Sequence, residues 1–218
     1  LVGTHSRGLH RSTDGGKTWQ LACKESIGLN VSACIVDGDR ILATVLGLGV
    51  VISEDAGATW SIKANGLMNL NIDVLALTPM GTLLAGDRQG FLYRSVDDGE
   101  NWQATNSAAG GPTTIAMGNG KILAGVRPHS LLVSTNDGVD WSESRNGLTN
   151  VLALSLLRTT SGMFVAATAN SGLLVSTDEG NSWREVTFPL RYETVRLLAE
   201  GANNTLWLVS TYGIVRSR

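Results

Sequence analysis

One eight-residue stretch occurs five times in the sequence and constrains its fold more than any other feature. The copies follow the pattern Ser-x-Asp/Asn-x-Gly-x-x-Trp, and their tryptophans are 41, 42, 39 and 42 residues apart. A fixed motif at a period of this length indicates a repeat architecture, in which each copy is one supersecondary unit. The copies begin at Ser12, Ser53, Ser95, Ser134 and Ser176, and they end at Trp19, Trp60, Trp102, Trp141 and Trp183.

Each copy has the chemistry of a hairpin turn. The oxygen of the third residue can accept hydrogen bonds from nearby backbone amides, and the glycine can adopt a positive φ. Apolar runs flank each copy, which predicts a strand on either side, and the tryptophan adds a large packing surface. We therefore predict a structural role, rather than metal binding or acid/base catalysis, for these tryptophans and for Asp14, Asp55, Asp97, Asn136 and Asp178. Asn136 keeps an accepting oxygen, so Asn136→Asp is expected to be mild.

The pattern resembles the Asp box, also called the BNR repeat. That box occurs in sialidases, sortilin-like receptors, some glycoside hydrolases and propeller-type photosystem II assembly factors. Asn101 and Asp140 depart from the Thr or Ser that usually precedes the tryptophan. The resemblance implies an all-β propeller fold and an exported or extracellular location. Because the same box is found in enzymes and in non-enzymes, it predicts the fold and leaves the function open.

The strand pattern between the boxes agrees with a propeller of four-stranded antiparallel blades. We call the strands of one blade A, B, C and D, from the axis to the rim, and each box is a C–D turn. The sequence contains five A, six B, six C and five D strands, which total 22. This count predicts one domain over residues 1–218 with six blades, of which the terminal ones are incomplete; a parent of seven or eight blades is the alternative.

Composition excludes several classes of function. The chain has 17 Lys and Arg residues against 19 Asp and Glu residues, a balance that argues against a nucleic-acid or membrane-surface binder. No apolar run is long enough to predict a membrane helix, and no segment has the pattern of a signal peptide.

The chain opens with Leu1 rather than Met, so we expect a trimmed piece. Cys23 and Cys34 are too few for a disulfide scaffold, and a bond between them stays open. No cofactor motif or metal-ligand spacing is found, so neither a cofactor nor a metal is predicted.

The B–C turns and D–A links lie together on the propeller face opposite the Asp boxes, which we call the B–C/D–A face. The active site of Asp-box enzymes opens there. Three B–C turns carry an arginine, and arginines that converge near the axis can bind one anion. The candidate binding residues on this face are His5, Arg7, Arg88, Arg127, His129, Arg191, Tyr192 and Tyr212.

These residues favour a non-enzymatic binding or scaffold protein that recruits a protein or anionic partner on the B–C/D–A face. The alternative is a carbohydrate-active module, either a lectin or a sialidase-like glycosidase. Sialidases combine an arginine triad with a Tyr nucleophile, its Glu partner and an Asp acid/base. Here Tyr192 and Glu193 are adjacent in sequence, the arginines lie in turns, and the loops are short. Only Tyr192 and Tyr212 are predicted as exposed aromatics for sugar stacking on this face. A third possibility is a structural segment of a larger secreted protein.

Overall fold

The computed structural model describes residues 1–105, 110–128, 130–144, 151–186, 194–211 and 213–217. Within these residues the structure consists of β-strands, turns and two short 3₁₀ turns, Lys24–Ser26 and Ala202–Asn204. None of the described helical segments has the length and apolar character needed to cross a bilayer. The chain divides into two compact units, Leu1–Ala104 and Thr105–Arg218, which are described in turn. A single domain over residues 1–218 stays a prediction.

The first unit contains three antiparallel sheets whose strands are paired in chain order. Its first sheet has three described strands and the other two have four each. The strands are β1 (Val2–Gly3), β2 (Leu9–Arg11) and β3 (Gln20–Leu21); β4 (Val31–Asp37), β5 (Arg40–Val45), β6 (Gly49–Ser53) and β7 (Ser61–Lys63); and β8 (Ile72–Leu77), β9 (Leu83–Asp87), β10 (Leu92–Ser95) and β11 (Gln103–Ala104).

The second unit contains two four-stranded sheets and a final sheet with three described strands, again antiparallel and in chain order. The strands are β12 (Pro112–Met117), β13 (Ile122–Val126), β14 (Ser130–Ser134) and β15 (Ser142–Ser144); β16 (Ala153–Arg158), β17 (Phe164–Thr168), β18 (Leu173–Ser176) and β19 (Arg184–Glu185); and β20 (Val195–Glu200), β21 (Leu206–Ser210) and β22 (Gly213–Arg216).

The second strand of each four-stranded sheet forms the centre of the core. Every residue of β9, β13 and β17 is buried, because an apolar run is covered on both faces of the sheet. The clusters of buried side chains join neighbouring sheets of one unit: Leu42, Ile52, Leu75 and Tyr93 pack together in the first. The outermost strands are mainly exposed, as β7 and β15 illustrate.

All five A strands carry a β-bulge near their first residue. The pairing register shifts between Val31 and Ala33 in β4 and between Ile72 and Val74 in β8. Equivalent shifts occur in β12, β16 and β20. A bulge places two residues opposite one and bends the strand. The bulged residues are Ser32, Asp73, Thr113, Leu154 and Arg196.

The predicted architecture is confirmed. The described residues form 22 strands in six antiparallel sheets, and the first and last sheets have three strands each. The first sheet lacks an A strand among these residues and the last lacks a D strand, as the strand count predicts. Cys23 is buried and Cys34 is exposed, and both are free thiols.

Candidate functional site

Each of the five Asp boxes contains the same pattern of hydrogen bonds. In the second copy, the Ser53 hydroxyl donates to Asp55 Oδ1 over 2.8 Å and accepts from the Gly57 amide over 2.7 Å. Asp55 Oδ1 also accepts the Thr59 amide over 2.8 Å. The equivalent three bonds span 2.8–3.0 Å in the other copies. The Asp or Asn at the third position of each box therefore accepts hydrogen bonds from its own turn.

These hydrogen bonds favour the charged form of the box carboxylates. They lower the pKa of Asp14, Asp55 and Asp178 to about 2. The largest effect comes from the hydroxyl of Thr18 on Asp14 and of Ser182 on Asp178, and from the backbone amide of Thr59 on Asp55. A carboxylate held in this way is a poor general acid or base at neutral pH.

In the fourth box the donor and the acceptor are exchanged. Thr18, Thr59 and Ser182 donate their hydroxyls to the second oxygen of the box aspartate. In the fourth box the Asn136 Nδ2 amide instead donates to Asp140 Oδ2 over 2.9 Å. The two unusual residues of the fourth box, Asn136 and Asp140, are thus partners of one another. This reverses the expectation that Asn136→Asp is mild, because it would set two carboxylates against each other.

We expect Asn136→Asp to lower the free energy of unfolding by about 1 kcal/mol, through a lost hydrogen bond and a new like-charge contact. The double change Asn136→Asp/Asp140→Thr should recover this loss, because it recreates the arrangement of Asp14 and Thr18 in the first box. Urea denaturation of both variants measures the difference. Equal stability of the single and the double variant would contradict the exchanged pair.

On the B–C/D–A face of the first unit, the turns and links are joined by hydrogen bonds. The link after β3 meets the first B–C turn through Gly8 N to Leu29 O, over 3.2 Å, and the second through Leu46 N to Asn30 O, over 2.9 Å. The link after β7 meets the second B–C turn, where Leu70 O accepts the amides of Gly47 and Gly49, each over 3.2 Å. The turns and links of this unit therefore form one continuous surface.

The predicted binding residues of the first unit lie on this surface. His5 and Arg7 are exposed, and the Arg7 side chain makes no hydrogen bond or ion pair with a described residue. Arg88 is exposed too, but its Nε lies 2.5 Å from Asp73 Oδ2, on the bulge of β8. That ion pair, which sequence reasoning missed, raises the pKa of Arg88 through the hydrogen bond to the carboxylate. An anionic ligand at Arg88 would compete with Asp73.

Apolar side chains on the same surface were also missed. Ile27 in the first link is 61% exposed, Met68 in the second is 64% exposed, and Phe91 in the third B–C turn is 40% exposed. Together with Leu46, Leu48 and Leu70 they form what we call the apolar patch. Phe91 corrects the prediction that only Tyr192 and Tyr212 are exposed aromatics on this face. The signal was present in the sequence, because the turn Leu46-Gly47-Leu48-Gly49 contains no polar side chain.

A buried carboxylate holds the third B–C turn in place. Asp87 is fully buried, and its Oδ1 accepts the amides of Gln89, Gly90 and Phe91, each over 2.9 Å. Its Oδ2 accepts the Tyr93 hydroxyl over 3.0 Å. Burial, followed by this hydrogen bond and the carboxylate charge, raises the pKa of Tyr93 to about 12. Asp87 thereby fixes the backbone on which Arg88 and Phe91 are displayed.

In the second unit, Arg127 is exposed and its side chain has no hydrogen bond or ion pair with a described residue. Its amide donates to Gly111 O over 2.9 Å, which ties the B–C turn to the preceding link. The predicted residues His129, Arg191, Tyr192 and Tyr212 lie outside the described residues. Among the residues that are described, no three His, Cys, Asp or Glu side chains are grouped so that they could hold a metal ion.

Comparison with known proteins supports the reading of the repeat. The model of the BNR/Asp-box repeat matches residues 10–21. No match was found among curated protein sequences.

Three solved structures share the fold. YCF48 bound to D1 peptide is 19% identical, with a TM-score of 0.77 over 100% of this chain and 73% of that one. The extracellular domain of the hybrid two component system BT3049 from B. thetaiotaomicron is 14% identical, with a TM-score of 0.80 over 98% of this chain and 31% of that one. An ancestral GH74 enzyme is 19% identical, with a TM-score of 0.70 over 83% of this chain and 27% of that one.

This chain thus spans less than a third of the two-component-system domain and of the GH74 enzyme. At these identities the likeness concerns the fold. Together, the five boxes, the six antiparallel sheets and these structures show a β-propeller fold that is built from repeats of the BNR/Asp-box kind.

Proposed function

We propose that this propeller is a non-enzymatic binding protein that recruits a protein partner on the B–C/D–A face. The observation that carries the proposal is the apolar patch of the first unit, in which Ile27, Met68 and Phe91 are exposed on turns and links. Exposed apolar side chains on a surface that is otherwise polar commonly mark an interaction site. The partner segment would be extended, with apolar residues for the patch and acidic residues for the cations around it.

The charges around the patch favour an acidic segment. Arg7 and Lys24 are exposed in the first B–C turn and the first link, and Arg88 is exposed beside the third turn. An apolar centre with a charged rim is the usual anatomy of a protein interface. The rim charges would speed association and select acidic partners more than they would add affinity. Arg127 occupies the equivalent turn of the second unit.

The structural neighbours include a peptide-bound propeller, which supports a peptide ligand, and glycoside hydrolases, which support the carbohydrate-active alternative. YCF48 has been solved with D1 peptide bound, so a propeller of this fold can hold a peptide. GH74 enzymes share the fold as well, and the exposed ring of Phe91 is a surface on which a sugar could stack. A carbohydrate-active module is therefore the second candidate, and the test below includes it.

The test compares two methionines on opposite faces. Met68 lies in the apolar patch, and Met80, which is 79% exposed, lies in the A–B turn between β8 and β9. Peptides are selected on the wild-type protein from a displayed random library, and their affinities are measured for Met68→Ser and Met80→Ser. We expect Met68→Ser to weaken binding about tenfold, which corresponds to about 1.4 kcal/mol. Met80→Ser should bind like the wild type.

The arginines are tested with the triple variant Arg7→Ala/Arg88→Ala/Arg127→Ala. Its melting temperature should stay close to the wild-type value, because exposed charges contribute within about 0.5 kcal/mol each. Its peptide affinity should fall, and wild-type affinity should decrease as salt screens the charges.

An equal loss of peptide affinity in Met68→Ser and Met80→Ser would refute the apolar patch as the binding site. Turnover of a sialoside or β-glycoside that the triple variant abolishes would establish the enzyme alternative instead.

A further inference from the structure

The repeat provides an internal comparison at the residue directly before each box serine. In the second copy this residue is Ile52, which is buried. A methyl group built on Gly99 of the next box would lie 3.1 Å from Ile52 Cδ1, so the isoleucine fills the seam between two neighbouring blades. The fourth and fifth copies have Val133 and Val175 here. The first copy has Arg11 instead.

Arg11 occupies the corresponding seam without filling it. A methyl group built on Gly57 of the second box would lie 3.4 Å from Arg11 Cδ, which places the arginine stem where Ile52 lies in the next seam. Beside the stem is a cavity of about 180 Å³ within the first unit. The lining includes Arg11, Thr13, Thr18, Gln20, Ala22 and Gly57.

No described carboxylate pairs with the guanidinium of Arg11, which lines this cavity. The half-buried Arg11 side chain makes no hydrogen bond or ion pair with any residue that the structure describes. Arg94, at the same position in the third copy, differs in this respect, since its Nη2 donates to Thr82 Oγ1 over 3.4 Å. A guanidinium without a partner can donate two parallel N–H groups to a planar anion, which is its strongest hydrogen-bonding arrangement.

We propose that this cavity binds a carboxylate group. Arg11 would hold its two oxygens, and the Thr13 hydroxyl and the Gln20 amide can donate further hydrogen bonds. A carboxylate fits better than a phosphate, because the Asp14 carboxylate is held next to the cavity by the Thr18 hydroxyl over 2.6 Å and would repel a dianion. The volume suits one carboxylate-bearing group, either a free sugar acid or a glutamate side chain of a peptide.

This site is separate from the surface of the proposed function. The cavity lies between the C and D strands of the first sheet and the second Asp box, on the side of the C–D turns. A variant that loses peptide binding at the apolar patch should therefore keep carboxylate binding in the cavity. A variant that loses carboxylate binding should likewise keep peptide binding.

The test titrates the protein at low salt with D-glucuronate and with N-acetyl-glutamate N-methylamide, using calorimetry. Glucose and inorganic phosphate serve as the neutral and the dianionic comparison. Arg11→Ile, which installs the residue of the second copy, should weaken carboxylate binding at least about tenfold. Its melting temperature should be unchanged or higher, because isoleucine fills the seam. Arg94→Ile, the matched control, should bind like the wild type, and Arg11→Gln tests the charge if Arg11→Ile folds poorly.

Binding of glucuronate alone would identify a sugar acid as the ligand, and binding of the glutamate compound alone would identify a peptide side chain. The proposal is overturned if neither carboxylate binds the wild-type protein. It is overturned as well if binding survives Arg11→Ile and Arg11→Gln, or if glucose or phosphate binds as tightly as the carboxylates.

Discussion

Replacing Gly66 by alanine is expected to lower the free energy of unfolding by about 3 kcal/mol or more. Gly66 has a φ of 90°, and a methyl group there would lie 2.0 Å from the carbonyl oxygen of Trp102. The link cannot easily move away, because the Trp102 amide donates to Asn65 O over 2.8 Å. Urea denaturation followed by tryptophan fluorescence measures the loss. Since the same link carries Met68 and Leu70, peptide binding should also weaken.

Gly47 is the matched control. Its φ of 88° is nearly that of Gly66, but nothing lies within 4 Å of the added methyl group. Gly47→Ala should therefore cost only the left-handed backbone strain, about 1–2 kcal/mol. Similar losses in the two variants would show that backbone strain, rather than the close approach to Trp102, makes glycine necessary at residue 66.

We expect Asp87→Ala to destabilise the protein by about 2–4 kcal/mol, because it leaves the buried Tyr93 hydroxyl and three turn amides without their acceptor. The Arg88 turn should lose its fixed conformation, so binding that depends on the apolar patch should weaken in parallel. Thermal unfolding and the selected peptides of the methionine test provide the two measurements.

A double-mutant cycle with Tyr93→Phe separates the hydroxyl from the turn. The Asp87→Ala/Tyr93→Phe variant no longer buries an unpaired hydroxyl. Its loss of stability should therefore be about 1 kcal/mol smaller than the sum of the losses in the two single variants. Additive losses would mean that Asp87 acts on the turn amides alone. Unchanged stability in Asp87→Ala would contradict its role altogether.

The fold followed from the sequence because the box reports several levels of structure at once. Its serine, aspartate and glycine make a turn, its tryptophan precedes an outer strand, and its period counts the blades. The exchanged pair Asn136 and Asp140 could not be recognised in this way. Asn136 taken alone still offers an accepting oxygen, whereas the hydrogen bond depends on Asn136 and Asp140 together.

The candidate face was harder to predict, because exposure depends on how turns and links lie against one another. Arg7 was predicted as an exposed cation and is exposed. The ion pair of Arg88 with Asp73 joins a turn to a bulge 15 residues away, which no local pattern indicates. The exposure of Ile27 and Met68 could not be predicted either, because apolar residues are ordinarily expected to lie in the core.

The bulge at the start of each A strand also has a consequence for how such repeats change in length. From the bulged residue to the next box tryptophan the chain counts 28, 29, 28 and 29 residues, whereas the preceding tryptophan lies 13, 13, 11, 13 and 13 residues before the bulge. The largest change, two residues, therefore falls in a D–A link. Insertions and deletions there leave the strand register intact and alter only the B–C/D–A face. If that face binds the partner proposed above, link length can change the ligand while the strands of each blade keep their pairing.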